Sequence, residues 1–268
     1  MAIEKNPQII NDNQSSLKKI MQNLIEELPL SHSQRIVLTG SNNRNEYVCI
    51  FMRNNRRTTS IPLNYICDVF EETFEKSQAF VEEGAVVAFV NTAAIVGRND
   101  KDYRIELNRR LNDLLTQMSM IAGISNEFTN LFDIRTHYLQ SQSALENGLL
   151  LNPSGTYFYF SSYALMEMIV NSLGGLPAEA YYPKGLRSII EHDRTAGISY
   201  IETLKVFLEE SMSYTATAKK LFIHRSTLID RIERIEKELN MDLNDSDQRL
   251  QLEILLKAIS LEELIRQQ

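Results

Sequence analysis

The tightest constraint on this chain lies near its C-terminus, where two helical stripes are separated by only a short turn. From about Arg225, the residues Leu228, Ile232, Ile235 and Leu239 recur on one helix face. The preceding helix, Ala216 to Leu221, offers small Ala218 and larger Leu221 to a closely packed neighbour, and Thr215 stands where its N-cap belongs. Phe222, Ile223 and His224 lie between the two, a connection of the length a helix-turn-helix uses. A further stripe of Ile201, Leu204 and Leu208, ending near Glu210, makes three consecutive helix signals between Tyr200 and Leu239.

Burying that stripe turns a definite set of side chains outward. The opposite side of the last helix carries Ser226, Thr227, Asp230, Arg234 and Lys237, with Arg225 and Arg231 on its flanks. Hydroxyl and cationic groups at the N-terminal end of such a helix suit base edges and phosphates, and Lys219, Lys220 and His224 sit beside them. From Lys219 to Lys237 six cations face three acids, so this stretch is basic within a chain of formal net charge −7. Phosphate attraction would have to come from this local patch. The spacing alone fits an ordinary three-helix bundle with a solvated charged face equally well, and the turn lacks the glycine often found there.

The run TLKVFLEESMSYTATAKKLFIHRSTLIDRIERIEKELNMDLNDSDQRLQLEILLKA decides between these readings, because it resembles the C-terminal helix-turn-helix of PucR/CdaR-type bacterial transcriptional regulators. The residues that carry the resemblance are Thr217, Ala218 and Leu221, then His224, Arg225, Thr227 and Leu228, then Arg231, Arg234 and Ile235, with Leu243 and Arg249 beyond. It implies a regulator that binds double-stranded DNA through a recognition helix over about 225–239. The candidate contacts are Thr215, Lys219, Lys220, His224, Arg225, Ser226, Thr227, Asp230, Arg231 and Arg234. One such helix covers too little DNA for tight specific binding, so a homodimer reading half-sites about 34 Å apart is expected.

Upstream, the pattern changes period. Arg35–Thr39, Tyr47–Met52, Ala85–Val90, Met118–Gly123 and Thr156–Phe160 read as strands, alternating with helical segments from Ile61 towards Phe80, over Asp102–Gln117 and over Phe128–Leu149. After Tyr163 the strand signals vanish. The expected class is α+β, a single-sheet domain over 31–160 followed by an all-α domain over 199–268. Turn residues around Pro177 and Pro183 place connecting helices and a loop at 161–198. MIAGISNEFTNLFDIRTHYLQSQSALENG followed by TYFYF, with Ala144, Leu145 and Gly148, resembles the degenerate GGDEF-like domain that precedes the helix-turn-helix in the same family. Gly174 and Gly175 are followed by Leu176 and Pro177, not by metal-holding acids, so the resemblance implies a scaffold and not a catalyst.

Residues 1–30 form an N-terminal helical segment, where many members of that family carry a large sensory domain. Leu17, Met21, Leu24 and Leu28, widened by Ile20 and Ile25, make a stripe from Ser15 to Leu28 that either dimerises or lies on the next domain; as a dimer seam it would set the half-site spacing.

Other chemistry is poorly supported. Cys49 and Cys67 sit in apolar stretches and read as core thiols, and the four histidines lack metal-ligand spacing, so no metal and no cofactor are expected. Asp242, Asn244, Ser246 and Glu253 mimic four positions of a calcium loop, but Asp247 stands where that loop needs glycine; Asn244–Asp247 reads instead as the cap of a last helix. No phosphate loop or nucleophile motif argues for an enzyme. No stretch approaches the roughly 18 apolar residues of a membrane span and no signal pattern opens the chain, which gives a cytoplasmic expectation without membrane contact. A small-molecule effector is compatible with the family. The alternative reading is a nucleotide-sensing or nucleotide-processing signalling protein built on the GGDEF-like domain.

Overall fold

Alternation along β1 (Tyr47–Asn54) organises the N-terminal half of the chain: Val48, Ile50 and Met52 point to one side of the sheet and Cys49 and Phe51 to the other. The computed structural model describes residues 7–41, 45–55, 61–96, 103–172 and 176–266. It divides into two units, Met1–Glu167 and Met168–Gln268.

In the first unit the order is α1 (Pro7–Ile25), α2 (His32–Ser41), β1, α3 (Leu63–Thr73), β2 (Gln78–Glu82), β3 (Ala85–Asn91), α4 (Ala93–Val96), α5 (Tyr103–Met118), β4 (Met120–Ile124), α6 (Ile134–Leu151), β5 (Tyr157–Tyr159) and the start of α7 (Phe160–Ser172). The five strands lie in the order β2-β3-β1-β4-β5, antiparallel except for β4 beside β5. From β1 to β4 this is the split β-α-β-β-α-β arrangement, with β5 added through α6. Both faces are covered. Ile66 and Phe70 of α3 and Leu107 and Leu111 of α5 pack on Val48, Ile50 and Val86. Ile20 and Met21 of α1, Leu38 of α2 and Ile134 and Tyr138 of α6 pack on Cys49, Val87 and Phe89. A side chain at Gly123 of β4 would meet the Ser141 carbonyl of α6 at 1.9 Å, so the glycine lets helix and strand touch backbone to backbone.

The structure corrects two sequence expectations in this unit and decides between the two readings left open for a third. Arg35–Thr39 is helical, because Ser31 and Gln34 form a reciprocal capping box: the Gln34 N–H donates to Ser31 Oγ at 3.3 Å and the Ser31 N–H donates to Gln34 Oε1 at 2.9 Å. The segment from Ile61 does not stay helical to Phe80, since α3 stops at Thr73 and Gln78–Glu82 pairs with β3 as an edge strand. The stripe from Ser15 to Leu28 ends as a helix at Ile25, and its Met21 is 1% exposed within the unit's own core. That burial removes Met21 from any seam with a second copy; Leu17 and Leu24 pack at the edge of the same core.

Cys49 and Cys67 are buried and unpaired by disulfide, and burial pushes their thiols up to about 12 and about 11. Neither is a ready nucleophile.

The second unit is helical among its described residues: the remainder of α7, a 3-10 turn at Ala178–Tyr181, α8 (Leu186–Thr195), α9 (Tyr200–Glu209), α10 (Tyr214–Lys220), α11 (Arg225–Leu239) and α12 (Ser246–Arg266). Leu204, Phe207, Leu228, Ile232, Ile235, Leu239, Leu252 and Leu256 build its core. Leu186 and Ile189 of α8 are buried in that same core, so much of the segment assigned above to a connection at 161–198 packs as part of the helical unit. At Gly185, which begins α8 with φ +92°, a side chain would meet the Glu238 carbonyl of α11 at 1.9 Å.

Candidate functional site

The α10–turn–α11 segment is assembled from local caps. Ser213, two residues before the expected Thr215, is the N-cap of α10, its Oγ accepting from the Ala216 N–H at 3.3 Å. Thr215 instead lies exposed in the first turn. His224 caps α11: its Nδ1 accepts from the Ser226 N–H at 3.4 Å and lies 2.8 Å from Ser226 Oγ. Asn240 ends α11 in the left-handed conformation, with its N–H bonded to the Glu236 carbonyl. The helix therefore has the bounds the apolar stripe implied, and Leu228, Ile232, Ile235 and Leu239 are all buried.

Its outward side gathers most of the expected residues. Lys219 at the end of α10 and His224, Arg225, Ser226, Thr227 and Asp230 at the start of α11 are all exposed. The Arg225 guanidinium lies 5.9 Å from the Tyr214 ring centroid, a cation–π contact that limits its wandering. Three cations are differently placed. Lys220 is held between Glu209 at 3.2 Å and Glu210 at 3.0 Å, Arg231 donates to Thr203 Oγ1 at 3.3 Å, and Arg234 donates to the Tyr200 hydroxyl at 3.0 Å. The two arginines are bonded to hydroxyl groups and turned to the α9 flank. Beside them Ser188, Ile189, His192, Tyr200, Arg234, Ile235 and Glu238 line a cleft of about 250 Å³.

The flank is fixed from below by Asp193 of α8. Burial raises its pKa, but the Ile201 and Tyr200 N–H groups at 2.8 and 2.9 Å, with the Ser199 hydroxyl and His192, outweigh that and hold the carboxyl below 3.8. Arg249, at the opposite end of the motif, donates to the Leu243 carbonyl at 2.6 Å and so fixes the turn that buries Leu243. The last helix is capped by Asp245, which accepts from the Asp247 and Gln248 N–H groups.

A family model for the PucR C-terminal helix-turn-helix domain matches residues 200–258, which span α9 to most of α12. Curated relatives agree. The purine catabolism regulatory protein of Bacillus subtilis is 30% identical over 50% of this chain and 25% of its own length. The proline-responsive transcriptional activator PutR of the same organism is 27% identical over 53% of this chain and 36% of its own. The carbohydrate diacid regulator of Escherichia coli is 24% identical over 56% and 40%. Residues 200–258 are thus similar to the C-terminal helix-turn-helix of PucR-type transcriptional regulators. The chain matches 25% to 40% of the length of these relatives. A solved structure, the regulator of polyketide synthase expression from Bifidobacterium adolescentis, aligns over 94% of both chains at 13% identity and a TM-score of 0.44, too loose a likeness to fix the fold.

Tyr214, which supports Arg225, is not marked by the sequence pattern, and Phe222, legible there only as part of the turn, takes φ +54° and is 95% exposed. The missing glycine was the available signal, since a non-glycine residue then has to adopt the left-handed turn conformation. Among the described residues no group of three or more His, Cys, Asp or Glu side chains could hold a metal, and no helix is long and apolar enough to cross a membrane.

Proposed function

We propose that the chain is a sequence-specific DNA-binding transcriptional regulator that acts as a homodimer and lays α11 in the major groove. The observation that carries this reading is the match of residues 200–258 to the PucR helix-turn-helix, joined to the exposure of Arg225, Ser226, Thr227 and Asp230 at the start of α11. In this geometry Thr227 and Asp230 reach base edges, and Arg225, Lys219 and Thr215 hold the phosphates that flank them. Ser226 and His224 keep the start of the helix in shape. Arg231 and Arg234 add positive potential from the α9 flank, and Lys220, clamped by two glutamates, contributes less.

The homodimer follows from affinity. A patch with a three-charge excess on a chain of −7 binds random duplex weakly in physiological salt, and two linked patches on matched half-sites multiply the gain. We assign the sheet unit to the degenerate GGDEF-like domain of the family, acting as a scaffold. The test is selection of duplexes by the purified chain from a random-sequence library, with light scattering on the same sample. The expected outcome is enrichment of a paired motif bound by two copies. Absence of any enriched duplex would overturn the reading, and a single half-site bound tightly by a monomer would overturn the dimer.

A further inference from the structure

Phe222 is the most exposed large apolar side chain among the described residues, and its backbone is left-handed. Glycine at this position would remove both penalties without touching the core, because the ring contributes almost nothing to packing. Its immediate neighbours Leu221 and Ile223 do the packing instead, both against the helical core. The fold therefore does not call for a phenylalanine here.

The surroundings narrow what the ring is for. The Phe222 N–H bonds the Lys219 carbonyl at 3.3 Å, and Lys219 and Arg225, each three residues away, are exposed. A protein-docking surface offers a contiguous apolar area with charge kept to its rim. A single ring set among cations suits a duplex better, whose phosphates meet the cations and whose thymine methyls and deoxyribose faces are its apolar surface. We infer that Phe222 is a DNA-contacting residue, laying its ring on that apolar surface at the edge of the groove entered by α11; the inference rests on the DNA-binding reading above.

The probe is the duplex enriched by the wild-type chain, and the variants are Phe222→Gly, Phe222→Leu and Lys219→Ala in the full chain. Phe222→Gly is expected to melt at or above the wild-type temperature and to bind at least tenfold more weakly, while Phe222→Leu keeps most of the affinity. Because no phosphate contact is lost, the slope of log affinity against log salt should stay as in wild type for Phe222→Gly and become shallower for Lys219→Ala. Replacing thymines by uracil one at a time separates the two apolar sources. A loss seen with wild type and absent with Phe222→Gly marks a thymine methyl, and equal indifference in both, beside the weaker binding of the variant, marks the sugar. Wild-type affinity in Phe222→Gly, or a loss of affinity matched by a lower melting temperature, overturns the inference and leaves the DNA-binding reading standing. Failure to enrich any duplex overturns both.

Discussion

In the sheet unit the polar contacts that fix the elements join residues far apart in the chain, whereas in the helical unit the caps that start each helix join near neighbours. The Cys49 N–H of β1 donates to the hydroxyl of Ser125, 76 residues away, and α6 settles on β4 where Gly123 leaves room for backbone. In the helical unit Asp193 ties α8 to the start of α9 across eight residues or fewer, and Ser213 and His224 each cap the helix that follows them. The sheet unit is thus specified by fit between distant surfaces, and the helical unit by short-range caps and one apolar stripe per helix, with the close approach of Gly185 to α11 as its long-range fit. This difference sets where each unit is fragile.

The largest effects are expected where backbone meets backbone. Gly123→Ala has no flexible side chain to displace, only α6 itself, and should cost the sheet unit about 3 kcal/mol or more. Gly185→Ala combines a similar clash with a left-handed φ and should weaken the helical unit comparably. Hydrogen exchange read separately on the two units checks this. Each substitution should loosen its own unit, and an unaffected α6–β4 contact after Gly123→Ala would show that the fit is softer than its geometry.

The same contrast explains what could be read from the sequence. The bounds of α11, its buried stripe and its exposed polar face were legible, because a helix carries its own period and its caps lie next to it. So was the mixed α+β class. Arg35–Thr39 was misread because its β-branched residues outvoted a capping box four residues upstream, a local signal that was present and overlooked. β2 was missed for a different reason: Gln78–Glu82 is an edge strand of five residues, and the signal that joins it to β3 is the two-residue Glu83-Gly84 turn just beyond it, with φ +47° and +78°. The flank positions of Arg231 and Arg234 were also illegible, since they depend on where Thr203 and Tyr200 of α9 come to rest.

Next in size come cavities and caps of the helical unit. Leu228→Ala empties a fully buried site and should cost about 2 to 5 kcal/mol, lowering the melting temperature and DNA affinity together. Asp193→Asn keeps the shape but loses the charge that three donors were arranged for, and about 2 kcal/mol is expected. Since the folded chain holds this carboxyl below 3.8, its contribution is complete above the unfolded value and disappears as the pH falls through the folded one. Acid titration of stability should therefore separate wild type from Asp193→Asn above pH 4 and bring them together under strongly acid conditions. Parallel curves throughout would show that the cap is not what Asp193 contributes.

The smallest effect on stability, and the sharpest on function, is expected at the exposed start of α11. Arg225 and Thr227 face solvent, and Arg225 touches the unit mainly through the Tyr214 ring, so Arg225→Ala and Thr227→Ala should leave the melting temperature essentially unchanged. If these side chains hold phosphate and base edge, each change should still weaken binding to a selected duplex about tenfold, and the two should differ in kind. Arg225→Ala should weaken all duplexes alike and flatten the salt dependence, because a phosphate contact carries no sequence information. Thr227→Ala should relax preference at one position of each half-site. Measuring both against a panel of single-base variants separates a phosphate contact from a base contact within the first turn of one helix. Full wild-type affinity in both would mean that α11 does not lead into the groove, however well its stripe and caps fit the motif.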